Sequence, residues 1–412
     1  MKHVLIIGAG AAGLMAAVAA GEAGARVTVL EKMVSPGRKL LITGKGRCNI
    51  TNICEVAELI ANMPGNGRFL HSAYRAFNNH DLIMWMNSHG VETKVERGGR
   101  VFPVSDKAAD VVNAFVRTLD KLNVSLLTQQ AVQKLIITDG MIQGVITDKG
   151  SYSADAVIIA TGGATYPGTG SSGDGYKMAR QASHTVTAIK PSLVPLEVGE
   201  EWIGELQGLS LKNVSAAVLV KGKKVAEDFG EMLFTHYGLS GPIILSLSKY
   251  VAEALEEKKD EVTIEINLKP ALSEEVLDKR IQRDWEKFSR KQVKNSLGEL
   301  LPAKLIPVII DLAYLDPDTF INQITKAERQ RLLRLLQHLS FTITKTRPVA
   351  EAIVTAGGVS IKEINPSTME SKLVSRLYIV GELLDVDGYT GGYNLQAAFS
   401  TGYVAGKAAA KE

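Results

Sequence analysis

The chain has 412 residues, with 47 Lys and Arg against 44 Asp and Glu and a formal charge of +3. That length allows two or three domains with substantial cores, and so even a charge balance gives no electrostatic case for nucleic acid or an anionic membrane as the main partner. Two cysteines fit a reducing compartment, since a secreted disulfide scaffold uses more.

Val4 to Ala20 is a run of 17 uncharged residues behind Lys2, which is the composition of a secretory signal. Gly8, Gly10 and Gly13 interrupt the continuous helix that a signal needs. The stretch reads better as a buried strand, VLIIG, then a tight turn, then a small-residue helix. No other apolar run is long enough for a transmembrane helix, so a cytoplasmic protein with no membrane partner is expected.

The same three glycines spell G-x-G-x-x-G after a strand and before a helix, and a second strand, RVTVLE, ends in Glu31. The first glycine permits the tight turn, the second lets a pyrophosphate approach the backbone, and the third lets helix and strand pack closely. The helix N-terminus favours the phosphate charge, and Glu31 is placed to accept the hydroxyls of an adenosine ribose. This loop alone does not separate FAD from NAD.

Next comes ITGKGRCNITN, residues 42 to 52, with Cys54 just beyond it. Flavin disulfide reductases carry C-x4-C in such a place, but five residues separate Cys48 from Cys54. Six helical steps turn the chain by about 600°, so the two thiols fall on different faces, and a redox disulfide is not expected. The ligands for a metal site are too few. A third strand, AVIIA, runs into Thr161, Gly162 and Gly163, and Asp174 opens the helix that follows, where it fits an N-cap.

From Pro191 to Pro348 the pattern changes. VSAAVLVKGKKVA and VTIEINL alternate as strands, whereas Ser273 to His338 is helical, with Leu277, Ile281, Trp285 and Phe288 on one face. Within FTHYGLSGP, His236 and Tyr237 precede an expected helix with Ser240 as N-cap and Pro242 in its first turn. His236 fits a proton donor near neutral pH or a hydrogen-bonded structural residue. Near the C-terminus an apolar strand ends at Gly381-Glu382, and Gly391-Gly392-Tyr393-Asn394 leads into a small-residue helix. That helix start suits a flavin ring, because its N–H groups stabilise the anionic reduced form. Tyr389 and Tyr393 are candidates to line a pocket.

The order GAGAAG, GRKLLITGKGRCNITN, GRVFP, ATGG, SSGDGY, FTHYGLSGP, VTAGGV, TMESK, VGELLDVDGYTGGYNLQAA resembles the BaiN/YhiN-type family of bacterial FAD-dependent oxidoreductases. More distantly it resembles the flavoprotein subunits of fumarate reductase and succinate dehydrogenase, with Ser172 where those usually have threonine. The resemblance implies an α/β fold: a Rossmann-type FAD-binding domain, a parallel sheet with helices, interrupted by an inserted β-rich domain carrying a helical subdomain. The expected boundaries are 1–190 and 351–412 for the FAD-binding domain, 191–270 with 339–350 for the β-rich insertion, and 271–338 for the helical subdomain.

The resemblance also implies cofactor contacts. In the first loop they are Gly8, Gly10, Ala11, Ala12 and Gly13, with Glu31 and Lys32 after the second strand. Arg38 and Lys39 would neutralise pyrophosphate charge, and Leu40, Thr43, Gly44, Gly46, Arg47, Cys48 and Asn49 would cradle the flavin. Val132, Ala160, Thr161, Gly162 and Asp174 follow. At the C-terminal end, Gly381 and Glu382 would meet the ribityl chain, and Gly392, Tyr393, Asn394, Leu395 and Gln396 the ring. No metal is expected.

The activity expected is hydride transfer between flavin N5 and a small organic substrate, with His236 and Tyr237 as catalytic candidates. No second G-x-G-x-x-G unit marks a nicotinamide domain, so NAD(P)H as electron donor would dock transiently as a co-substrate. Two alternatives stay open: an oxygen-dependent amine oxidase, and a non-catalytic flavin-binding sensor or partner module. Substrate identity and oligomeric state are not encoded in these patterns.

Overall fold

The computed structural model describes residues 1–257 and 261–411. Residues 258–260, inside the expected β-rich insertion, lie outside the described residues. The chain forms two compact units, Met1–Ser192 with Val349–Glu412, and Leu193–Pro348.

The first unit is built on five parallel strands, Leu377–Ile379, Ala156–Ile159, His3–Ile7, Arg26–Leu30 and Ser125–Leu127, in that spatial order. Val4 to Ile7 and Ala156 to Ile159 are buried throughout, as expected of strands covered on both faces. Helix Ala11–Glu22 packs on the C-terminal helix Tyr393–Ala410, and small residues set their separation. A Cβ on Gly402 would lie 2.2 Å from the Ala12 carbonyl oxygen, and one on Gly406 2.3 Å from that of Ala16. Three antiparallel sheets complete the unit: Thr51–Asn52 with Arg100–Pro103 and Thr93–Glu96, the meander Val132–Thr138, Met141–Thr147, Gly150–Ser153, and the pair Lys190–Ser192 with Val354–Ala356.

The second unit is a closed six-stranded barrel of Leu196–Val198, Gly238–Ser240, Lys223–Phe234, Ser210–Val220, Val262–Asn267 and Leu339–Thr346. Val262–Asn267 alternates buried and half-buried residues, the period-two pattern of a strand with one face on a core. Helices Glu274–Lys287, Ile306–Leu312 and Lys326–Gln337 share one apolar core with the barrel, so the 271–338 segment has no core of its own. Leu277, Ile281 and Trp285 are buried in it. Phe288 instead caps its helix, half-buried between the ammonium groups of Lys287 and Lys291.

Two local expectations need correction. The helix after FTHYGLSGP is capped by Gly241 at φ +91°, with Pro242 at its first position, and Ser240 ends the preceding strand. A Cβ at position 241 would stand 2.7 Å from the Met232 Cα, so the chain turns where only glycine fits. Likewise Gly173, at φ +80°, caps helix Asp174–Gln181, and Asp174 lies inside its first turn. No helix among the described residues is long and apolar enough to cross a membrane.

Candidate functional site

The glycines of the first loop divide by what they touch. A Cβ on Gly8 would lie 2.7 Å from the Ala160 carbonyl oxygen, and one on Gly13 1.9 Å from that of Gly8. These two are demanded by the protein's own packing. A Cβ on Gly10 would meet no atom within 4 Å, and its φ of −84° suits any residue. What Gly10 leaves open is space in front of helix Ala11–Glu22, whose N-terminus has no side-chain cap. Uncapped N–H groups and a free approach are the elements of a phosphate site. The Arg38 guanidinium has no ion-pair or hydrogen-bond partner among the described residues, and Arg38 begins a turn tied to this loop, the Gly37 N–H donating to the Ala9 carbonyl at 2.8 Å.

Glu31 does more than the motif suggests. Its carboxylate is buried and accepts from the Ala9 and Met33 N–H groups, both at 2.8 Å, which ties the phosphate loop to the end of the second strand. Two bonds use half of a carboxylate's lone pairs, leaving acceptors for ribose hydroxyls. The Gln130 N–H bonds the Glu31 carbonyl at 2.9 Å, which brings half-buried Val132 to this end of the sheet. Lys32 donates to Asp174 at 2.6 Å and to Ser172. Burial works against the Asp174 charge, but hydrogen bonds from Lys32 and, at 2.8 Å, from the Ser172 hydroxyl outweigh it and hold its carboxyl below the usual range.

Behind the third strand, Ala160 is buried in the core and the Thr161 hydroxyl is buried without a partner. A buried orphan hydroxyl costs about 1–3 kcal/mol, so this one fits a group supplied by a ligand. Gly162, at φ +72°, turns the chain away. A Cβ on Gly163 would clash with Thr355 and Glu382. The Glu382 carboxylate accepts from Lys39 at 2.6 Å and from the Thr355 N–H at 2.9 Å, and Lys39 also donates to Thr165 at 2.7 Å. The Lys39 charge is thus paired with Glu382, whereas the Arg38 guanidinium has no such partner among the described residues. Sequence reasoning missed Thr165 and Thr355, although VTAGGV was visible as a motif.

The ITGKGRCNITN stretch is a left-handed loop, with Gly44, Lys45, Gly46 and Cys48 at φ between +57° and +84°. Leu40 anchors it in the core and the Thr43 hydroxyl bonds the Leu40 carbonyl at 2.7 Å. Both cysteines are free. Burial pushes the Cys48 thiol up to about 12 and the Cys54 thiol to about 11, so neither is an activated nucleophile. The Arg47 side chain is engaged with the protein itself. It bonds Glu96 at 2.7 Å and lies over the Phe102 ring at 4.1 Å.

Loop and C-terminal helix meet through Asn49. In the amide orientation that satisfies its surroundings, it donates to the Thr51 and Val101 carbonyls and accepts from the Gly392 N–H at 3.0 Å. Gly392 has φ +100°, and a Cβ there would lie 2.5 Å from Thr51 backbone atoms. It caps an 18-residue helix without a side-chain cap, which leaves the N–H groups of Tyr393, Asn394 and Leu395 for a flavin carbonyl.

The side chains that open this helix bond the protein itself. Asn394 bonds both backbone groups of Gly388, each at 2.8 Å. Gln396 is fully buried, accepting from Thr51 at 2.6 Å and donating to Ser400 at 2.9 Å. Tyr393 is buried against Gly391. At Gly381, φ is +69° and the N–H bonds the Thr401 hydroxyl. With these side chains engaged, the backbone N–H groups at the helix start are what is left open, as expected of that helix start, and the cradle fits FAD.

In the second unit, His236 and Tyr237 sit at a hairpin tip where the Thr235 N–H bonds the Gly238 carbonyl at 2.8 Å. His236 is exposed and contacts Tyr237 edge to face. Tyr237 lies under the Arg347 guanidinium at 4.6 Å, and Arg347 pairs with Glu197 at 2.6 Å. Among the described residues no group of His, Cys, Asp and Glu is arranged to hold a metal.

The HI0933-like protein Rossmann domain family matches residues 2–408, and the chain belongs to it. Its full length is 35% identical to the 3-dehydro-bile acid delta(4,6)-reductase of Clostridium scindens, with 100% of both chains covered. It is 32% identical to the ribosomal RNA dihydrouridine synthase of Escherichia coli, over 97% of this chain and 96% of that one. The Escherichia coli quinol fumarate reductase shares the fold, with a TM-score of 0.53 at 17% identity over 100% of this chain and 70% of that one. Family and cradle together make the chain an FAD-dependent oxidoreductase.

Proposed function

We propose that this member of the HI0933-like family reduces a carbon–carbon double bond conjugated to a carbonyl, with uridine in ribosomal RNA as substrate and NAD(P)H as electron donor. The observation that carries the redox half of this reading is the uncapped start of helix Tyr393–Ala410, fixed by Asn49 and Gly392, which favours negative charge on a flavin carbonyl. Bound FAD would supply a hydride to the carbon β to the carbonyl.

The choice of reaction rests on the names of the relatives. A 3-dehydro delta(4,6) bile acid and the uracil ring of uridine both present a double bond in conjugation with a carbonyl. Each reduction adds one hydride and one proton, and NAD(P)H replaces the two electrons consumed. His236, exposed and without a hydrogen-bond partner among the described residues, is the proposed proton donor. Arg38 and the first loop hold the pyrophosphate, and the Glu382–Lys39 pair holds the ribityl side of the cradle. Two free thiols suit the cytoplasm, where such an RNA is found.

A bile-acid-like steroid is the second reading, favoured by the 35% identity to the Clostridium scindens reductase. The test incubates FAD-loaded protein and NADPH or NADH with an unmodified ribosomal RNA transcript, and separately with a 3-oxo-delta-4 steroid. Nucleoside mass spectrometry that finds dihydrouridine supports the first reading, and a saturated steroid alone supports the second. Hydrogen peroxide released from an amine, with neither reduction, would establish the oxidase instead.

A further inference from the structure

We infer that the hairpin Thr93–Pro103 and the turn that carries it on to Lys107, with the Lys45 loop lying on it, are the surface that docks the phosphate backbone of an RNA strand beside the flavin cradle. The inference rests on the RNA reading above and names where that substrate is held.

The chain's near-neutral balance hides an uneven distribution. The first unit carries 25 Lys and Arg against 21 Asp and Glu, and the second 22 against 23. Within the first unit, residues 43–47 and 92–107 hold six cations, Lys45, Arg47, Lys94, Arg97, Arg100 and Lys107, against Glu92, Glu96 and Asp106. That local excess equals the net charge of the whole chain.

The two segments form one surface. Arg47 reaches across to Glu96 at 2.7 Å and Asp106 at 3.4 Å, and Lys94 bonds Asp106 at 2.6 Å. Those interactions hold the Asp106 carboxyl below the usual range, the Lys94 hydrogen bond contributing most. With these two carboxylates occupied, Lys45 and Lys107 are exposed and have no side-chain partner among the described residues. Arg97 is exposed at the hairpin tip, and the Arg100 Nε donates to the Arg97 carbonyl at 3.0 Å. A four-residue strand spans about 13 Å, enough to meet more than one phosphate of a single strand. A compact carboxylate would meet only part of such a surface.

Its position ties it to the chemistry. The Asn52 amide donates to the Gly98 carbonyl at 2.9 Å and to the Gly391 carbonyl at 3.2 Å. One side chain thus pins the cationic hairpin tip to the turn that starts the flavin-facing helix. Gly99 is fitted to this pin, since a Cβ there would lie 2.4 Å from the Asn52 Oδ1. An RNA strand held on the hairpin would therefore be held in register with the cradle.

The test uses FAD-loaded protein, a fluorescein-labelled single-stranded oligoribonucleotide containing uridines, and the double variant K45N/K107E. Asn tolerates the left-handed backbone at 45, and Glu at 107 suits the N-terminus of helix Ala108–Lys121, so folding is preserved, with flavin absorbance as the check. Wild type should bind with an affinity that falls steeply with salt. The variant should bind at least tenfold more weakly, with a log–log salt slope shallower by about 0.7 for each phosphate it no longer neutralises. Unchanged affinity and slope in the variant would overturn the assignment, as would wild type that ignores RNA at low salt while binding phosphatidylglycerol vesicles. Dihydrouridine formed equally by both proteins would reject this surface and leave the RNA reading standing. Salt-sensitive binding abolished in the variant, with no dihydrouridine from wild type, would do the reverse.

Discussion

At the scale of single residues, Gly10 and Gly13 belong to one motif but serve different purposes. Gly10→Ala places a methyl group where the protein has no atom within 4 Å. Its stability should stay within about 0.5 kcal/mol of wild type, or rise slightly as the unfolded chain loses freedom. FAD affinity should fall at least tenfold. Gly13→Ala places a methyl 1.9 Å from a carbonyl oxygen and should cost about 1–3 kcal/mol of stability before any cofactor is added. Denaturant melts of the apoproteins alongside FAD titrations check both, and equal stability losses would show that Gly10 is a packing glycine. Cys48 is buried, with its thiol raised to about 12. Iodoacetamide at pH 8 should leave it unmodified until the chain unfolds, as peptide mass spectrometry can record. Rapid native labelling of Cys48 would contradict the buried placement.

Elements carry predictions of their own. Helix Tyr393–Ala410 is 18 residues long, about 27 Å, and its Gly406 meets Ala16 too closely for any side chain. Gly406→Val should therefore destabilise the protein by about 1–3 kcal/mol, seen as a lower urea midpoint, and it would affect flavin binding only through the fold.

The segment after helix Asp174–Gln181 is clamped by His184. Its Nδ1 faces Glu363 at 3.0 Å and its Nε2 faces the Ser371 hydroxyl at 2.8 Å. The Ser371 oxygen already accepts from the Leu373 and Val374 N–H groups, so it best serves as donor to a neutral imidazole. Burial lowers the His184 pKa below its ordinary 6.5, despite the raising effect of Glu363. Glu363, despite its own burial, lies below its ordinary 4.5 through hydrogen bonds from Thr185 and His184. Below pH 6.5 the unfolded chain takes up a proton that the folded chain resists, so stability falls as pH drops, and Glu363 adds to the loss nearer 4.5. His184→Gln should flatten the upper part of that fall, which begins as pH drops below 6.5. An identical pH profile would show that His184 does not carry it.

Across the whole molecule, what the sequence displayed was backbone. Gly8, Gly13, Gly392 and the strands before them are legible because a tight turn or close approach admits only glycine, and such positions advertise themselves. Side-chain roles were less legible, because partners lie far apart in the chain. Lys39 and Glu382 are 343 residues apart, and nothing local told that they neutralise each other. Asn394 and Gln396 stand in the right motif, but their amides satisfy the protein's own backbone and hydroxyls. Charge behaved similarly, since a chain-wide balance averages over the basic hairpin near the cradle.

The central claim is that electrons pass from a nicotinamide through the bound flavin to a conjugated double bond. The direct measurement is an anaerobic titration of the FAD-loaded protein with NADPH and with NADH, watching the visible flavin absorbance, followed by addition of unmodified ribosomal RNA transcript. The account predicts bleaching by one of the nucleotides and recovery of the yellow colour when the RNA is added. A flavin that neither nucleotide bleaches, or one that stays bleached with both the RNA and a 3-oxo-delta-4 steroid and recovers only in oxygen, would contradict it.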